Sequence, residues 1–315
     1  MVLFITGLCE RNCFYCPVSL EKRKDVVFAN ERQVKNDEDI IQEAYLMHAL
    51  GTGITGGEPL LRLQRVLHYI CLLKNRFGKK HHIHLYTGLA PDKKILESLK
   101  DAGLDEIRFH PPLNLWKDIA NTAYKNSILT AHRLGISTGI EVPAIPADYN
   151  NIISLLEEVK GFLNLNELEF SETNAHKLKK LGYKLNEDSF SALGSKEIAK
   201  SLHYNKLHFC SSVFKDAVQL RERLKRIAKN TARDFDEITE DGTLVYGVIE
   251  GKESENILKE NGVGYEMYSV RNDVIETSWW IVHELSDKLK KAGCRVWIEE
   301  RYPRIDGMIV ERTPV

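Results

Sequence analysis

Three cysteines, Cys9, Cys13 and Cys16, follow the apolar run 2–5 near the start of the chain with the spacing C-x3-C-x2-C. Thiolates this close in one loop can converge on a single inorganic centre, and cysteine is the usual ligand of iron–sulfur clusters. A purely structural metal site takes four protein ligands, whereas three thiolates on a [4Fe–4S] cube leave one iron free for a small molecule. The spacing therefore indicates a cluster with an open iron.

A second motif, Gly56-Gly57-Glu58-Pro59, follows the apolar segment around Ile54. Glycines allow the backbone to approach a ligand closely, and the Glu58 carboxylate is a charge-assisted acceptor for an ammonium group. The cysteine loop alone also fits a zinc half-site or reduced surface thiols, and Glu58-Pro59 alone also fits an ordinary helix start. The occurrence of both motifs in one chain strongly favours the cluster.

The two motifs resemble those of the radical S-adenosylmethionine (SAM) superfamily, whose hallmark is C-x3-C-x-aromatic-C, and Tyr15 occupies the aromatic position. The resemblance implies that the amino and carboxylate groups of SAM chelate the open iron of a [4Fe–4S] cluster. It implies that an electron from the cluster cleaves SAM to a 5′-deoxyadenosyl radical. It further implies that Gly56, Gly57 and Glu58 receive the SAM amino group and that Tyr15 packs near the adenine.

The elements that must position these motifs alternate between short strands and amphipathic helices, which is typical of a parallel α/β layer. With the resemblance, this predicts an α/β fold, a partial (β/α)6 radical SAM barrel over residues 1–230, with the cluster loop at 7–20. Seven candidate strands are one more than such a barrel requires, so the last is expected to be an addition. The candidates are 2–6, 53–55, 82–87, 106–110, 138–144, 166–171 and 207–211.

The regular alternation of strands and helices stops after a basic helix at 215–229. Strand candidates at 244–249, 265–270, 295–299 and 308–310, with one strong helix through 281–289, predict a small α+β C-terminal unit over residues 231–315. This unit contains neither motif. We therefore expect it to serve substrate recognition or closure of the barrel.

Polar side chains alternate with apolar ones along the predicted strands at 82–87, 106–110, 138–144 and 166–171. The apolar set should meet the outer helices, and the polar set should point into the barrel. Because packed barrels fill their interior with branched apolar residues, this row predicts either a cavity or a paired network. We expect Arg108 or His110 to bind the SAM carboxylate and Glu141 to bind a ribose hydroxyl, with structural neutralisation of these charges as the alternative.

The composition is that of an ordinary globular chain of 315 residues with 43% hydrophobic residues and a formal net charge of -1. This charge argues against binding nucleic acid through bulk electrostatics. The longest uncharged stretch, 44–57, is shorter than the ~20 residues that span a bilayer, so no membrane partner is expected. Cys71, Cys210 and Cys294 stand far apart, which fits reduced thiols and a cytoplasmic location.

Most of the chain looks, in general outline, like a group of functionally uncharacterised archaeal radical SAM proteins related to pyruvate formate-lyase activating enzymes. The activating enzymes themselves lack a C-terminal unit like this one. The leading hypothesis is a radical SAM enzyme that takes electrons from a donor such as ferredoxin or flavodoxin and abstracts hydrogen from a small molecule, a peptide or RNA. Two alternatives stay open: an activase that installs a radical on a partner protein, and a non-catalytic iron–sulfur redox-sensing module.

Overall fold

The computed structural model describes residues 1–271 and 274–315. They form two compact units, one of Met1–Tyr45 with Ala49–Lys215 and one of Leu46–His48 with Asp216–Val315. The second unit thus begins before residue 231, where the sequence analysis expected the small unit, because the basic helical segment groups with it. In the described parts of the chain, no helix has both the length and the apolar character that crossing a membrane requires.

The first unit alternates strands and helices along its length. Its strands are β1 (Val2–Phe4), β2 (Phe28–Ala29), β3 (Arg32–Gln33), β4 (Gly51–Thr55), β5 (His82–Thr87), β6 (Glu106–Phe109), β7 (Ser137–Pro143), β8 (Phe162–Asn166) and β9 (Leu207–Cys210). Its α-helices are α1 (Asp37–Leu46), α2 (Leu63–Phe77), α3 (Lys93–Ala102), α4 (Ala123–Arg133), α5 (Asn150–Glu158), α6 (Ala175–Lys180) and α7 (Ser195–Ser201). Two 3₁₀ segments lie at Pro59–Arg62 and Leu113–Asn121.

The strands form one sheet in the order β3-β2-β1-β4-β5-β6-β7-β8-β9. From β1 to β9 each strand of the path runs parallel to its neighbour, and the hairpin β2–β3 adds an antiparallel edge beside β1. The path ends at β3 and β9 rather than returning on itself, so the barrel is partial. The predicted α/β class is confirmed, and six of the seven parallel strands lie where the sequence indicated them.

The helices form where the sequence provides an apolar face and clear ends. Helix α2 buries Val66, Ile70 and Leu73 and stops at Gly78. Helix α3 begins at Asp92, whose side chain accepts a hydrogen bond from the Ile95 N–H, and ends at Gly103 in the left-handed conformation that glycine favours. The outward residues of β5, β6 and β7 are fully buried, as predicted: Ile83, Leu85, Ile107, Phe109, Ile140 and Val142.

The predicted strand at 166–171 is wrong, because the parallel strand of this region is β8, Phe162–Asn166. Both stretches alternate polar and apolar residues, so alternation alone could not choose between them. β8 pairs with β7 and β9, whereas the later stretch forms only an isolated antiparallel bridge from Glu169 to Ser191. Glu167 and Glu169 therefore lie beyond the strand end, where they bond Ser212 and Lys215.

The second unit is a small α+β unit, as predicted. A π-helical segment, Phe214–Leu220, leads into it. Its strands are β10 (Glu237–Ile238), β11 (Leu244–Glu250), β12 (Tyr268–Arg271), β13 (Val274–Thr277), β14 (Arg295–Arg301) and β15 (Ile309–Pro314), and its helices are α8 (Arg221–Thr231), α9 (Ser254–Glu260) and α10 (Trp279–Lys291). The sheet order is β12-β13-β11-β14-β15, with β10 beside β11. Apolar residues of α9 and α10 form its core against the sheet.

A glycine in the barrel interior makes a testable packing contact. A Cβ atom on Gly139 would lie 2.2 Å from Cε2 of Phe162, so a methyl group there must displace the phenyl ring. We expect Gly139→Ala to lower the free energy of unfolding by about 1–3 kcal/mol, measured by urea denaturation. Ser137→Ala, at the exposed start of the same strand, should change it by less than about 0.5 kcal/mol. Equal stability of the two variants would contradict this packing.

Candidate cluster and cofactor site

The three motif cysteines lie in the loop between β1 and β2, at the carboxyl end of β1. All three thiols are free; Cys9 is exposed, while Cys13 and Cys16 are half-buried. Burial raises the pKa of Cys9, and the nearby charges of Glu58, Cys13 and Cys16 raise it further. Three free thiols of one loop are the donor set that a [4Fe–4S] cluster takes.

The Gly56-Gly57 turn is joined to the cluster loop by backbone hydrogen bonds. The Gly57 N–H donates to the Thr6 carbonyl over 2.7 Å, and the Glu58 N–H donates to the Leu8 carbonyl over 2.8 Å. A Cβ atom on either glycine would lie 2.4 Å from a carbonyl oxygen of the loop. The glycines are therefore required first for this backbone contact, a reason different from the ligand approach that the sequence suggested.

The Glu58 carboxylate is buried and already accepts three hydrogen bonds. One oxygen accepts from the Leu60 N–H and the Thr87 hydroxyl, and the other accepts from the Gly88 N–H. Burial raises the pKa of Glu58, whereas these bonds oppose the shift. Since a carboxylate offers about four acceptor positions, roughly one remains for a further donor such as an ammonium group.

Tyr15 connects the cluster loop to the end of β6. Its hydroxyl lies 2.8 Å from Nε2 of His110, and Nδ1 of His110 lies 2.7 Å from the Glu141 carbonyl. Because a carbonyl only accepts, Nδ1 carries the proton and Nε2 accepts from the Tyr15 hydroxyl. Burial lowers the pKa of His110 and raises that of Tyr15, so both groups are neutral near pH 7.

Arg108 and Glu141 belong to a paired network deeper in the barrel. The Arg108 guanidinium donates to Glu106 over 2.6 Å, to the Tyr86 hydroxyl over 2.7 Å and to Glu141 over 2.8 Å. Glu141 also accepts from the Asn164 and Asn166 amides. These side chains neutralise one another, which is the alternative that the sequence analysis left open for the polar row.

Arg11 is a site residue that sequence reasoning missed. From its position between Cys9 and Cys13, its guanidinium donates to the carbonyls of Gly88 and His110 and to the Tyr124 hydroxyl. Arg11 and Glu58 thus both bind Gly88, the residue that follows β5. The only signal in the sequence was its position between two motif cysteines, and that position alone does not indicate a role for the side chain.

The loop after β8 holds the other end of the cysteine motif. The Asn174 amide donates to the Tyr15 carbonyl over 3.0 Å, and the Thr173 hydroxyl donates to the Cys16 carbonyl over 3.2 Å. The structure thus brings most of the predicted site residues to the carboxyl ends of the strands. Arg108 and Glu141 lie within the barrel beneath them.

The chain is similar to several known proteins. Residues 3–146 match the model of the radical SAM superfamily, and residues 242–315 match a domain of unknown function (DUF8061). A Methanocaldococcus jannaschii protein, provisionally named a glycyl-radical enzyme activating enzyme, is 38% identical over 100% of this chain and 89% of its own. The GTP 3',8-cyclase of Corynebacterium glutamicum is 33% identical over 33% of this chain and 28% of its own.

Two solved structures show more distant likeness. Streptococcus suis SuiB bound to S-adenosylmethionine has a TM-score of 0.42 and 16% identity, covering 70% of this chain and 52% of its own. Coproporphyrinogen III oxidase (HemN) of Escherichia coli, described as a radical SAM enzyme, has a TM-score of 0.34 and 10% identity, covering 86% of this chain and 84% of its own.

The superfamily match spans the cysteine loop and the Gly56-Gly57-Glu58 turn, and the archaeal relative matches the chain over its full length. A [4Fe–4S] cluster and SAM are the cofactors of this superfamily, and the free thiols and buried carboxylate described above fit both. The chain belongs to the radical SAM superfamily of enzymes.

Proposed function

We propose that the protein cleaves SAM reductively and abstracts a hydrogen atom from its substrate. When bound, the cluster supplies the single electron that splits SAM into methionine and a 5′-deoxyadenosyl radical. The radical then takes a hydrogen atom from the substrate and leaves as 5′-deoxyadenosine. The observation that carries the proposal is the pair of backbone bonds that join the Glu58 turn to the cysteine loop.

In this proposal the chain's own residues bind and orient SAM. Cys9, Cys13 and Cys16 hold the cluster, and Glu58 accepts from the SAM amino group at its remaining acceptor position. Tyr15, fixed by His110, packs near the adenine. The remaining assignments are Arg108 or His110 for the SAM carboxylate and Glu141 for a ribose hydroxyl. For either assignment, the side chain would have to give up one of its present hydrogen bonds within the protein and bind SAM instead.

A second candidate function is activation of a partner protein by placing a radical on one of its glycines. The name of the M. jannaschii relative favours it, because that relative matches the C-terminal unit as well as the barrel. A small molecule, a peptide or RNA stays the broader substrate class. The cytoplasmic location and a ferredoxin or flavodoxin as electron donor remain predictions.

The first prediction concerns the cluster. Replacing Cys9, Cys13 and Cys16 together with Ala should abolish cluster assembly after anaerobic reconstitution, measured by bound iron and sulfide and by the visible absorption of the cluster. Replacing the three other cysteines together should leave the cluster in place. A full cluster in the first variant would overturn the assignment.

The second prediction separates an enzyme from a redox-sensing module. The reconstituted protein, given SAM and dithionite, should form 5′-deoxyadenosine and methionine in equal amounts, measured by liquid chromatography. Addition of cell extract should increase the yield if it supplies the substrate, and a protein-based glycyl radical in the extract, seen by electron paramagnetic resonance, would favour the activase. A stable cluster with no SAM cleavage would favour the sensor.

The third prediction concerns Glu58. Glu58→Gln should keep the cluster and bind SAM roughly 10- to 100-fold more weakly, because a hydrogen bond to a charged acceptor is lost. In the unaltered protein, SAM affinity should fall as the pH drops through the raised Glu58 pKa, and this dependence should vanish in the variant. Glu299→Gln, at a buried carboxylate of the second unit, is the matched control. Unchanged SAM affinity in Glu58→Gln would move the amino-group site elsewhere.

The fourth prediction tests Arg108. Arg108→Leu removes the cation between Glu106 and Glu141 and should lower the free energy of unfolding by about 3 kcal/mol. Under conditions in which the variant is folded, its SAM affinity should also fall, measured by equilibrium dialysis. Normal affinity together with the lower stability would restrict Arg108 to the structural network.

A further inference from the structure

Two histidines and a glutamate converge at the amino-terminal end of two adjacent barrel strands. His82 and His84 belong to β5 and Glu106 belongs to β6, and one potential ligand atom from each lies within 4.8 Å of the other two. Within residues 1–271 and 274–315, this is the one group of three or more His, Cys, Asp or Glu side chains found at this spacing. The cluster and cofactor site described above uses neither histidine, and it includes Glu106 only as a hydrogen-bond partner of Arg108.

Strand geometry brings these side chains together. His82 and His84 are two residues apart on one strand, so both project from the same face of the sheet. His84 and Glu106 are partners in the parallel register of β5 and β6. The His84 ring fills the space left by Gly53, since a Cβ atom there would lie 2.5 Å from His84 Nε2. The ring is therefore held in place by its neighbours.

The glutamate is oriented by a second contact. One oxygen of Glu106 accepts from the Arg108 Nε–H over 2.6 Å, and the other lies 3.8 Å from Nε2 of His82. Hydrogen bonds of this kind to the non-coordinating atom of a ligand orient it toward a metal. Arg108 is shared with Glu141, so the guanidinium and the two carboxylates of this group together carry one negative charge.

The donor set and distances fit a divalent transition metal. Two imidazoles and one carboxylate are ligands that zinc accepts, and tetrahedral bonds of about 2.0–2.2 Å place the ligand atoms about 3.3–3.6 Å apart. The His82–Glu106 pair, at 3.8 Å, lies just outside this range. The remaining separations, at most 4.8 Å, need side-chain shifts of up to about 1.5 Å.

The group is accessible and is remote from the cluster. The His82 side chain is 49% exposed at the first position of β5, which gives an ion a path from solvent. Gly88, which binds Glu58, follows the opposite end of the same strand. Six residues of extended strand separate the two places by about 20 Å. We propose that His82, His84 and Glu106 form a zinc-class metal site, separate from the iron–sulfur cluster, that ties β5 to β6.

The test uses the full-length chain with Cys9, Cys13 and Cys16 replaced by Ala, so that these thiols cannot bind zinc. After addition of zinc chloride and dialysis, this protein should hold one zinc ion per chain, measured by mass spectrometry of the metal. Its melting temperature should rise with zinc concentration, because a ligand that binds only the native state stabilises it. Cobalt in place of zinc should show no thiolate charge-transfer absorption, which separates this site from the remaining cysteines.

Two variants and one control decide the outcome. In that background, His82→Ala and His84→Gln should each weaken zinc binding by at least about 100-fold, beyond the 10–100-fold typical of losing an outer partner. His68→Ala, at an exposed histidine of α2 paired with Asp37, should bind zinc normally. His82→Ala keeps the test valid if His84→Gln fails to fold, since His82 is half exposed. No bound zinc, or equal zinc binding in His82→Ala, would overturn the proposal.

Discussion

The structure depends on the backbone contact between the Gly56-Gly57-Glu58 turn and the residues that enter the cysteine loop. Two N–H groups of the turn donate to the carbonyls of Thr6 and Leu8, and no side chain fits between the two segments. The cysteine loop begins at the end of one strand and the turn at the end of its parallel neighbour, so the pairing of β1 with β4 sets their separation. The strand pairing and these two backbone bonds therefore set where the cysteine loop begins relative to the Glu58 residue.

Burial of charge is the second constraint on the barrel. An ionised group inside a fold costs free energy unless it is paired and hydrogen-bonded, and here Arg108 is surrounded by Glu106, Glu141 and Tyr86. The neutral His110 ring connects this hydrogen-bond network to Tyr15 on the cluster loop, because it binds both the Glu141 carbonyl and the Tyr15 hydroxyl. The polar interior is thus internally satisfied, and its hydrogen bonds reach the cysteine loop through His110 and Tyr15.

The sequence was informative where one residue type has few structural uses. The apolar faces of β5, β6 and β7 were predicted because burial allows few alternatives there, and the cysteine and glycine motifs indicated the superfamily because few other sites use them together. The strand at 166–171 was misplaced because Phe162–Asn166 has the same alternation, and only pairing with β7 and β9 decides between them. Arg11 could not be found at all, since its partners are two backbone carbonyls and a hydroxyl from residues far away in the sequence. The pairing of Arg108 with Glu141 likewise depends on the register between β6 and β7, which the amino-acid sequence alone does not give.

The cysteine loop is held at both ends, and this bears on how a cluster enters the protein. Leu8 is bonded to the Glu58 N–H at one end, and the carbonyls of Tyr15 and Cys16 are bonded to Asn174 and Thr173 at the other. The span between these anchors is only a few residues long, and Arg11 within it is also hydrogen-bonded, so the conformational entropy of gathering three thiolates is mostly lost when the barrel folds. Cys9 is the exposed thiol of the three. A cluster delivered from a carrier would meet Cys9 first, and capture by the other two would then require local closure of a short segment rather than folding of a disordered chain.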